Sequence, residues 1–272
     1  MTERLECFFK EEGIEYYAVL DYAALRETKP HLIKKVGITP RSCIIFLIPY
    51  FSGIPDNFSA YAASRDYHLY VEEMTSRLIA ILKEEYSGAS FVGFGDHSPI
   101  DERHAAASAD LGMLGDNGLI INEKYGSYVF LAEVISDARP DELGAKAPIA
   151  VKKCRGCGAC RAACPTGILS GEGSACLSAI TQRKGALSDE EAALLKKCNT
   201  VWGCDACQAA CPYNKKAEFT PIKFFLEERI GRLSSDIILS MSDEEFSRRA
   251  FSWRGREVLL RNLAIAEGSA NE

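Results

Sequence analysis

Nine of the eleven cysteines in this 272-residue chain fall between Cys154 and Cys211. The stretch opens as Cys154-x-x-Cys157-x-x-Cys160-x-x-x-Cys164-Pro165 and closes as Cys204-x-x-Cys207-x-x-x-Cys211-Pro212, with Val201 where the second run would have its first cysteine. This is the spacing of a bacterial two-cluster ferredoxin, in which three thiolates from one tight turn hold a [4Fe–4S] cube and the cysteine before proline reaches across to the other cube. One cube would then take Cys154, Cys157, Cys160 and Cys211. The other would take Cys164, Cys204 and Cys207 and needs a fourth ligand, for which Cys176 and Cys198 are the two nearby candidates. Zinc sites use paired CxxC units and do not account for triple spacing followed by Cys-Pro. Disulfides do not suit a chain whose first residues, MTERLECFFKEEG, lack a signal-peptide core. The chemistry implied is one-electron transfer.

Composition sets the frame for that stretch. Hydrophobic residues make up 47% of the chain, enough for a sizeable core, and the longest apolar run, Cys43 to Pro49, is far too short to span a membrane. A cytoplasmic protein is expected. The net charge of −6 is uneven: residues 1–150 carry 23 acids against 14 bases, whereas residues 151–272 carry 15 acids against 18 bases. No basic stripe of the kind that tracks a phosphate backbone stands out, so composition leaves a nucleic-acid partner only the C-terminal half.

The elements that must position the cysteines come next. Thr2 to Glu12 reads as an amphipathic helix with Leu5, Phe8 and Phe9 inward, and Tyr16 to Leu20 as a strand. Ser42 to Pro49 (SCIIFLIP) is β-branched and continuously apolar, as a strand buried on both faces should be. Cys43 within it, and Cys7 on the first helix, read as small apolar residues. Asp66 to Tyr86 follows a helical period, with Val71, Met74, Leu78, Ile81 and Leu82 inward, and Ser90 to Phe94 is a further strand. Ser98-Pro99 has the form of an N-cap followed by proline at the first helical position, predicting a helix to about Ala109. Leu119 to Asn122 and Ser127 to Ile135 read as strands joined across Glu123 to Gly126.

Strands mixed with helices predict an α+β chain: an N-terminal α/β sandwich-type domain over residues 1–145, ending in a linker from Arg139 to Ala150. A ferredoxin-like two-cluster domain follows over 146–218, and a short helical tail over 219–272. Ser188 to Glu191 and Ser242 to Glu245 are capping boxes, the first opening a helix to about Cys198. The Leu/Ile stripe from Arg256 to Ala266 predicts a last helix that packs into the core.

Taken together, several segments resemble the epoxyqueuosine reductase family, cobalamin-dependent iron–sulfur enzymes of tRNA queuosine synthesis. They are Tyr61 to His68 (YAASRDYH), Asp96 to Arg103 (DHSPIDER), Leu111 to Gly115 (LGMLG), Gly126 to Glu133 (GSYVFLAE), Cys164 to Gly167 (CPTG), Cys176 to Ser178 (CLS), Lys184-Gly185, Trp202 to Asn214 (WGCDACQAACPYN) and Leu260 to Ala264 (LRNLA). The Gly-Cys-Asp-x-Cys-Gln block is the most specific of them. The resemblance implies Cys176 as the eighth cluster ligand and leaves Cys198 an ordinary thiol. It implies cobalamin held between the N-terminal domain and the cluster domain, Asp96 as proton donor, and Arg65, Asp66, Tyr67 and His68 lining the corrin or substrate pocket, with Leu131 and Ser178 as further cofactor contacts. His68 and His97 are not assigned to cobalt, because the family holds its cobalamin without a protein histidine on the metal. His31 and His104 carry no role beyond surface or core. A low-potential donor of ferredoxin or flavodoxin type would feed the clusters.

The sequence departs from the family pattern in three places. The segment before the first buried strand is shorter than the family's. Gly115-Asp116 replaces a glycine–lysine pair, exchanging a cation for an anion. The C-terminal helical repeats that contact tRNA in longer members stop almost at their first helix. These departures, with the acidic N-terminal half, favour a small substrate over folded tRNA. Beside an epoxyqueuosine reductase stand a related cobalamin and iron–sulfur reductase of another small molecule, of the reductive dehalogenase kind, and a two-cluster electron carrier with no substrate of its own.

Overall fold

SCIIFLIP becomes the centre of a sheet. In the computed structural model, which describes residues 3–268, strand β2 (Ser42–Pro49) is buried at every position. Its neighbours are β1 (Tyr17–Asp21) on one side and β6 (Val129–Ser136) on the other, and β3 (Phe91–Gly95) closes the order β1-β2-β6-β3. Every pairing is antiparallel, with Ile45 opposite Glu133 and Glu133 opposite Phe94. Side chains of successive strand residues point to opposite faces, and both faces are covered.

On one face, Cys43, Ile45 and Leu47 of β2 and Ile135 of β6 pack with Ile33 of helix α2 (Pro30–Val36) and Ala105, Ala106 and Ala107 of α4 (Glu102–Ser108). On the other face, Phe9 of α1 (Glu3–Glu11) stacks on Tyr17 at 4.2 Å between ring centroids and meets Phe46 at 5.6 Å. Helix α3 (Tyr67–Glu85) lies so close to β3 that a Cβ on Gly93 or Gly95 would stand 2.8 Å from the Thr75 or Val71 side chain. Only glycine permits that approach. The expected α+β class with a layered sandwich is therefore borne out, and α1 buries Leu5, Phe8 and Phe9 as expected. Thr2, given above as the helix start, lies outside the described residues.

Two local expectations differ from the structure. Ser98-Pro99 does not cap a helix: α4 begins at Glu102, with Asp101 as N-cap accepting the His104 N–H at 3.1 Å. The reason is competition, because the Pro99 carbonyl accepts the N–H groups of Thr28 (2.8 Å) and Lys29 (3.0 Å), and Ile100 bridges Glu27, which holds the dipeptide extended. Nor do the two segments around Glu123 pair with each other as a hairpin. The short β5 (Ile120–Ile121) pairs with β4 (Met113–Leu114), while β6 goes to the main sheet. Only an Asn122–Gly126 bridge joins the two ends of the turn.

The chain divides into two compact units. The sheet, α1, α2, α4 and most of α3 belong to one, made of residues up to Tyr50, His68–Gly156 and Lys216–Ile222; Phe51–Tyr67, Cys157–Lys215 and the chain from Lys223 make the other. The second unit is built of short helices: α5 (Ala159–Ala163), α6 (Leu177–Thr181), α7 (Asp189–Cys198), α8 (Ala206–Ala209), α9 (Lys223–Leu226), α10 (Ser235–Ser240), α11 (Asp243–Ser247) and the longer α12 (Arg256–Glu267). Both capping boxes form, at Ser188 and Ser242. Val258, Leu259 and Leu263 of α12 pack with Val201, Trp202 and Phe251, so that stripe is core. Asn262, fully buried beside them, donates to the Thr181 (2.7 Å) and Val201 (2.8 Å) carbonyls. Among the described residues, no helix is long and apolar enough to cross a membrane.

Candidate functional site

In the sheet unit, the end of β3 turns sharply at Asp96. Its backbone is left-handed, with φ 63°, a conformation that costs a non-glycine residue about 1–2 kcal/mol; aspartate tolerates it better than most, and such strain concentrates at functional sites. The turn closes with the His97 N–H donating to the Gly95 carbonyl at 2.7 Å. The Asp96 side chain is 68% exposed, and its Oδ2 lies 3.8 Å from Nε2 of His68 in the first turn of α3. His97 is engaged elsewhere, its Nδ1 accepting from Lys29 Nζ at 3.3 Å.

Behind this turn lie two carboxyl groups that the sequence reading gave no role. Glu133 of β6 is fully buried on the face that carries Ile45 and Ile135. Burial first, and then the charge of Glu102, push its carboxyl well above the ordinary range. Glu102, at the start of α4, is pushed up to about 7, first by burial and then by the charge of Asp96, against the pull of the Lys29 cation. Burial in this unit therefore falls on Glu102 and Glu133, while Asp96 is presented to solvent. Leu131, two residues before Glu133, is half-buried against the same apolar layer.

Cys154 also belongs to the sheet unit. The Leu114 N–H donates to the Lys152 carbonyl and the Cys154 N–H to the Leu114 carbonyl, both at 2.9 Å, which pins the segment alongside β4. The Asp116 N–H donates to the Cys154 sulfur at 3.4 Å. Asp116 is the residue at which the sequence departs from the expected glycine–lysine pair.

The second unit carries the other eight cysteines of the cluster stretch. Among the described residues no cysteine forms a disulfide. The donor set suits iron–sulfur cubes. At Cys164 burial pushes the thiol up, but the backbone N–H groups of Leu169, Thr166 and Ile168 and the Thr166 hydroxyl outweigh it and bring the thiol below its ordinary value. Cys204 is pushed up to about 11, chiefly by burial and then by the charges of Cys176, Asp205 and Cys198. A thiolate in that position needs a cation to compensate it, as ligation by iron provides. Cys176 acts on Cys204 more strongly than Cys198 does. Cys176 stands as N-cap of α6, and Cys198 ends α7.

The Gly-Cys-Asp-x-Cys-Gln block has a structural logic that its spacing did not reveal. Asp205, deeply buried, accepts from the Ser59 hydroxyl (2.5 Å), the Ala60 N–H (2.7 Å) and the Gln208 amide (3.0 Å). Gly203 has φ +69°, and a Cβ there would stand 2.5 Å from that of Ser59. Trp202 is fully buried and donates from its indole N–H to the Tyr61 hydroxyl at 2.8 Å. The block thus fixes the second cysteine turn onto the 57–61 segment of the same unit. The aspartate between Cys204 and Cys207 was the available signal.

The remaining sequence candidates occupy defined places. Arg65 lies over the Phe224 ring at 4.2 Å and contacts Glu227 and Glu228 at 3.4 Å each. The Asp66 N–H donates to the Arg248 carbonyl at 2.7 Å just before α3 begins, and Tyr67 meets Tyr61 edge-on at 6.5 Å. The Ser178 hydroxyl accepts from the Gln182 amide at 3.0 Å. Of these candidates, the sheet unit brings His68 to Asp96.

A family model described as a 4Fe-4S double cluster binding domain matches residues 153–214. The epoxyqueuosine reductase of Lactococcus garvieae is 30% identical over 231 residues, covering 79% of this chain and 62% of that protein, so the chain spans less than two thirds of that relative's length. A crystal structure of epoxyqueuosine reductase with an epoxyqueuosine-modified tRNA-Tyr stem loop superposes with a TM-score of 0.78 at 27% identity, covering 97% of this chain and 80% of that one. The Bacillus subtilis epoxyqueuosine reductase, in a structure with its aspartate catalytic loop swung out of the active site, gives 0.76 at 26% identity with the same coverage. Over 97% of the chain the likeness to these epoxyqueuosine reductases holds in sequence as well as in fold.

Proposed function

We propose that this chain is an iron–sulfur, cobalamin-dependent oxidoreductase that reduces epoxyqueuosine to queuosine in tRNA. Removing an epoxide oxygen to leave an alkene takes two electrons and two protons, so an acid is needed as well as an electron path. In this reading Cys154, Cys157, Cys160 and Cys211 hold one cube, and Cys164, Cys176, Cys204 and Cys207 hold the other. Cobalamin, when bound, supplies a cobalt centre that accepts electrons from a cluster and acts on the epoxide. Asp96 donates the proton to the departing oxygen. Arg65, Asp66, Tyr67, His68, Leu131 and Ser178 contact the cofactor or substrate. A low-potential ferredoxin or flavodoxin delivers electrons.

The observation that carries this reading is the Asp96 turn. A strained, left-handed aspartate presents its carboxyl to solvent in a chain whose cysteines match a double-cluster domain, and the Bacillus subtilis relative has its catalytic loop at an aspartate.

The test is anaerobic reconstitution followed by assay on epoxyqueuosine-containing tRNA. Uptake of about eight irons, as two [4Fe–4S] cubes require, together with one corrin and formation of queuosine, is expected. Asp96→Asn should abolish turnover and keep both cofactors. Iron uptake without corrin, or an Asp96→Asn variant with undiminished turnover, rules the assignment out.

A further inference from the structure

The turn between β4 and β5, residues 115–118, places one of its residues against a cysteine of the first run in two ways. The turn is tightly fixed. The Gly118 N–H donates to the Gly115 carbonyl at 2.9 Å, the Gly115 N–H to the Leu119 carbonyl at 2.8 Å, and Arg103 to the Gly118 carbonyl at 2.9 Å. A Cβ on Gly115 would run into Oδ1 of Asn117 and the Leu119 carbonyl, so glycine is required there. Leu114, the residue before the turn, holds the Cys154 segment through its own N–H and carbonyl. Fixed in this way, the turn aims the Asp116 N–H at the Cys154 sulfur, 3.4 Å away. Oδ2 of Asp116 lies 3.9 Å from the place a Cβ would take on Gly156, inside the Cys154-x-x-Cys157 run. Backbone donor and side-chain anion of one residue thus both meet the ligand turn.

A cluster becomes more negative when it takes up an electron, so N–H groups on its sulfurs raise its potential and fixed anions beside it lower it. We propose that Asp116 is a positioning residue for the cube on Cys154: its backbone N–H orients the Cys154 thiolate, and its carboxylate draws the potential of that cube down. A cube drawn down in this way is a stronger reductant, which is what electron delivery to a corrin requires. The two effects oppose each other, and substitution separates them, because every residue except proline keeps the N–H. The charge of Lys152, two residues before Cys154, is balanced by Asp110 at 2.6 Å.

This role rests on Cys154 as a cluster ligand, part of the function proposed above, and is independent of the substrate. The test is a redox titration of the anaerobically reconstituted protein, followed by electron paramagnetic resonance, on wild type, Asp116→Glu, Asp116→Asn and Asp116→Lys. Asp116→Asn should favour reduction in one of the two cluster steps by about tenfold, which is about 59 mV upward for one electron. Asp116→Lys should move the same step further in the same direction, while Asp116→Glu, which keeps the charge, should leave it near the wild-type value. Iron content should stay at about eight per chain throughout. A step that shifts equally in all three variants reports a disturbed turn, not a charge, and overturns the role; so does a step that stays in place in Asp116→Lys. Protein that shows the graded shift yet forms no queuosine would remove the substrate proposed above and keep this role. Protein that takes up no iron removes both.

Discussion

Replacing Glu133 by glutamine should make the protein more stable than wild type, by an amount that grows with pH. The argument starts from linkage. A buried acid whose folded pKa is raised binds a proton in the native state that the unfolded chain has already released, so stability is full below the unfolded value and is lost as pH rises toward the folded one. Glu133 is fully buried and held well above the ordinary 4.5. Through about pH 5 to pH 7 Glu133 keeps a proton in the native protein that it lacks in the unfolded chain, beside the one that Glu102 holds up to about 7 in both proteins, and the loss due to Glu133 runs at roughly 1.4 kcal/mol per pH unit, or about 3 kcal/mol over the interval. Glutamine has the shape of the protonated acid and a donor for Glu102, yet nothing to titrate. Anaerobic urea denaturation of the cluster-loaded wild type and Glu133→Gln, at matched pH values, gives the difference directly. Cluster contributions common to both proteins cancel. The carboxyls that ion pairs or caps hold low, such as Glu15, Glu191 and Glu245, titrate below this window and are also shared. A stability difference that stays flat from about pH 5 to pH 7 would mean that Glu133 is ionised in the native state, and the reasoning would fail.

Other perturbations read other parts of the molecule. Cys176→Ala should lower iron from about eight to about four per chain, whereas Cys198→Ala should leave it near eight; iron analysis with electron paramagnetic resonance decides between the two candidates, and the reverse pattern would reassign the fourth ligand. Asp205→Ala strands the Ser59 hydroxyl, the Ala60 N–H and the Gln208 amide, at about 1–3 kcal/mol for each donor left unpaired, partly offset by relief of a buried charge. A net loss of about 2–4 kcal/mol in anaerobic urea melts is expected, and a variant as stable as wild type would show that the three contacts carry no weight.

Sequence patterns were most informative where one local rule governed. SCIIFLIP is a central strand with the bounds its apolar run suggested, and both capping boxes form because Ser and Glu meet across a single turn. The cysteine runs, read from their spacing, fall within the residues that match a double-cluster domain. Where two distant segments compete for the same groups, local patterns misled. Ser98-Pro99 has the form of a helix start, but its carbonyl is taken by Thr28 and Lys29, some seventy positions upstream. The strand after Glu123 joins the main sheet instead of its neighbour in sequence. Glu133 went unassigned for a related reason. In VFLAEVIS a single acid interrupts an apolar strand, and sequence does not say whether it points to water or into the core; it is fully buried, and α4 brings a second carboxyl, Glu102, close enough for its charge to be felt.

These two carboxyls bear on a difficulty that the Asp96 turn raises by itself. An aspartic acid left in water is ionised near neutral pH and has no proton to give. The turn exposes its carboxyl, which is what access to a substrate requires, and exposure removes the burial that would keep it protonated. One remedy is for a ligand to cover Asp96, so that acidity appears only in the complex. The other is a fixed negative charge close behind it, which acts before any ligand arrives. Glu102 does not supply that charge, because burial and the charge of Asp96 push its carboxyl up to about 7, so it keeps its proton where an exposed aspartate has already lost its own. Covering has an observable consequence: the alkaline limb of kcat, which reports the complex, should lie at higher pH than that of kcat/KM, which reports the free enzyme, and coincident limbs would refute it.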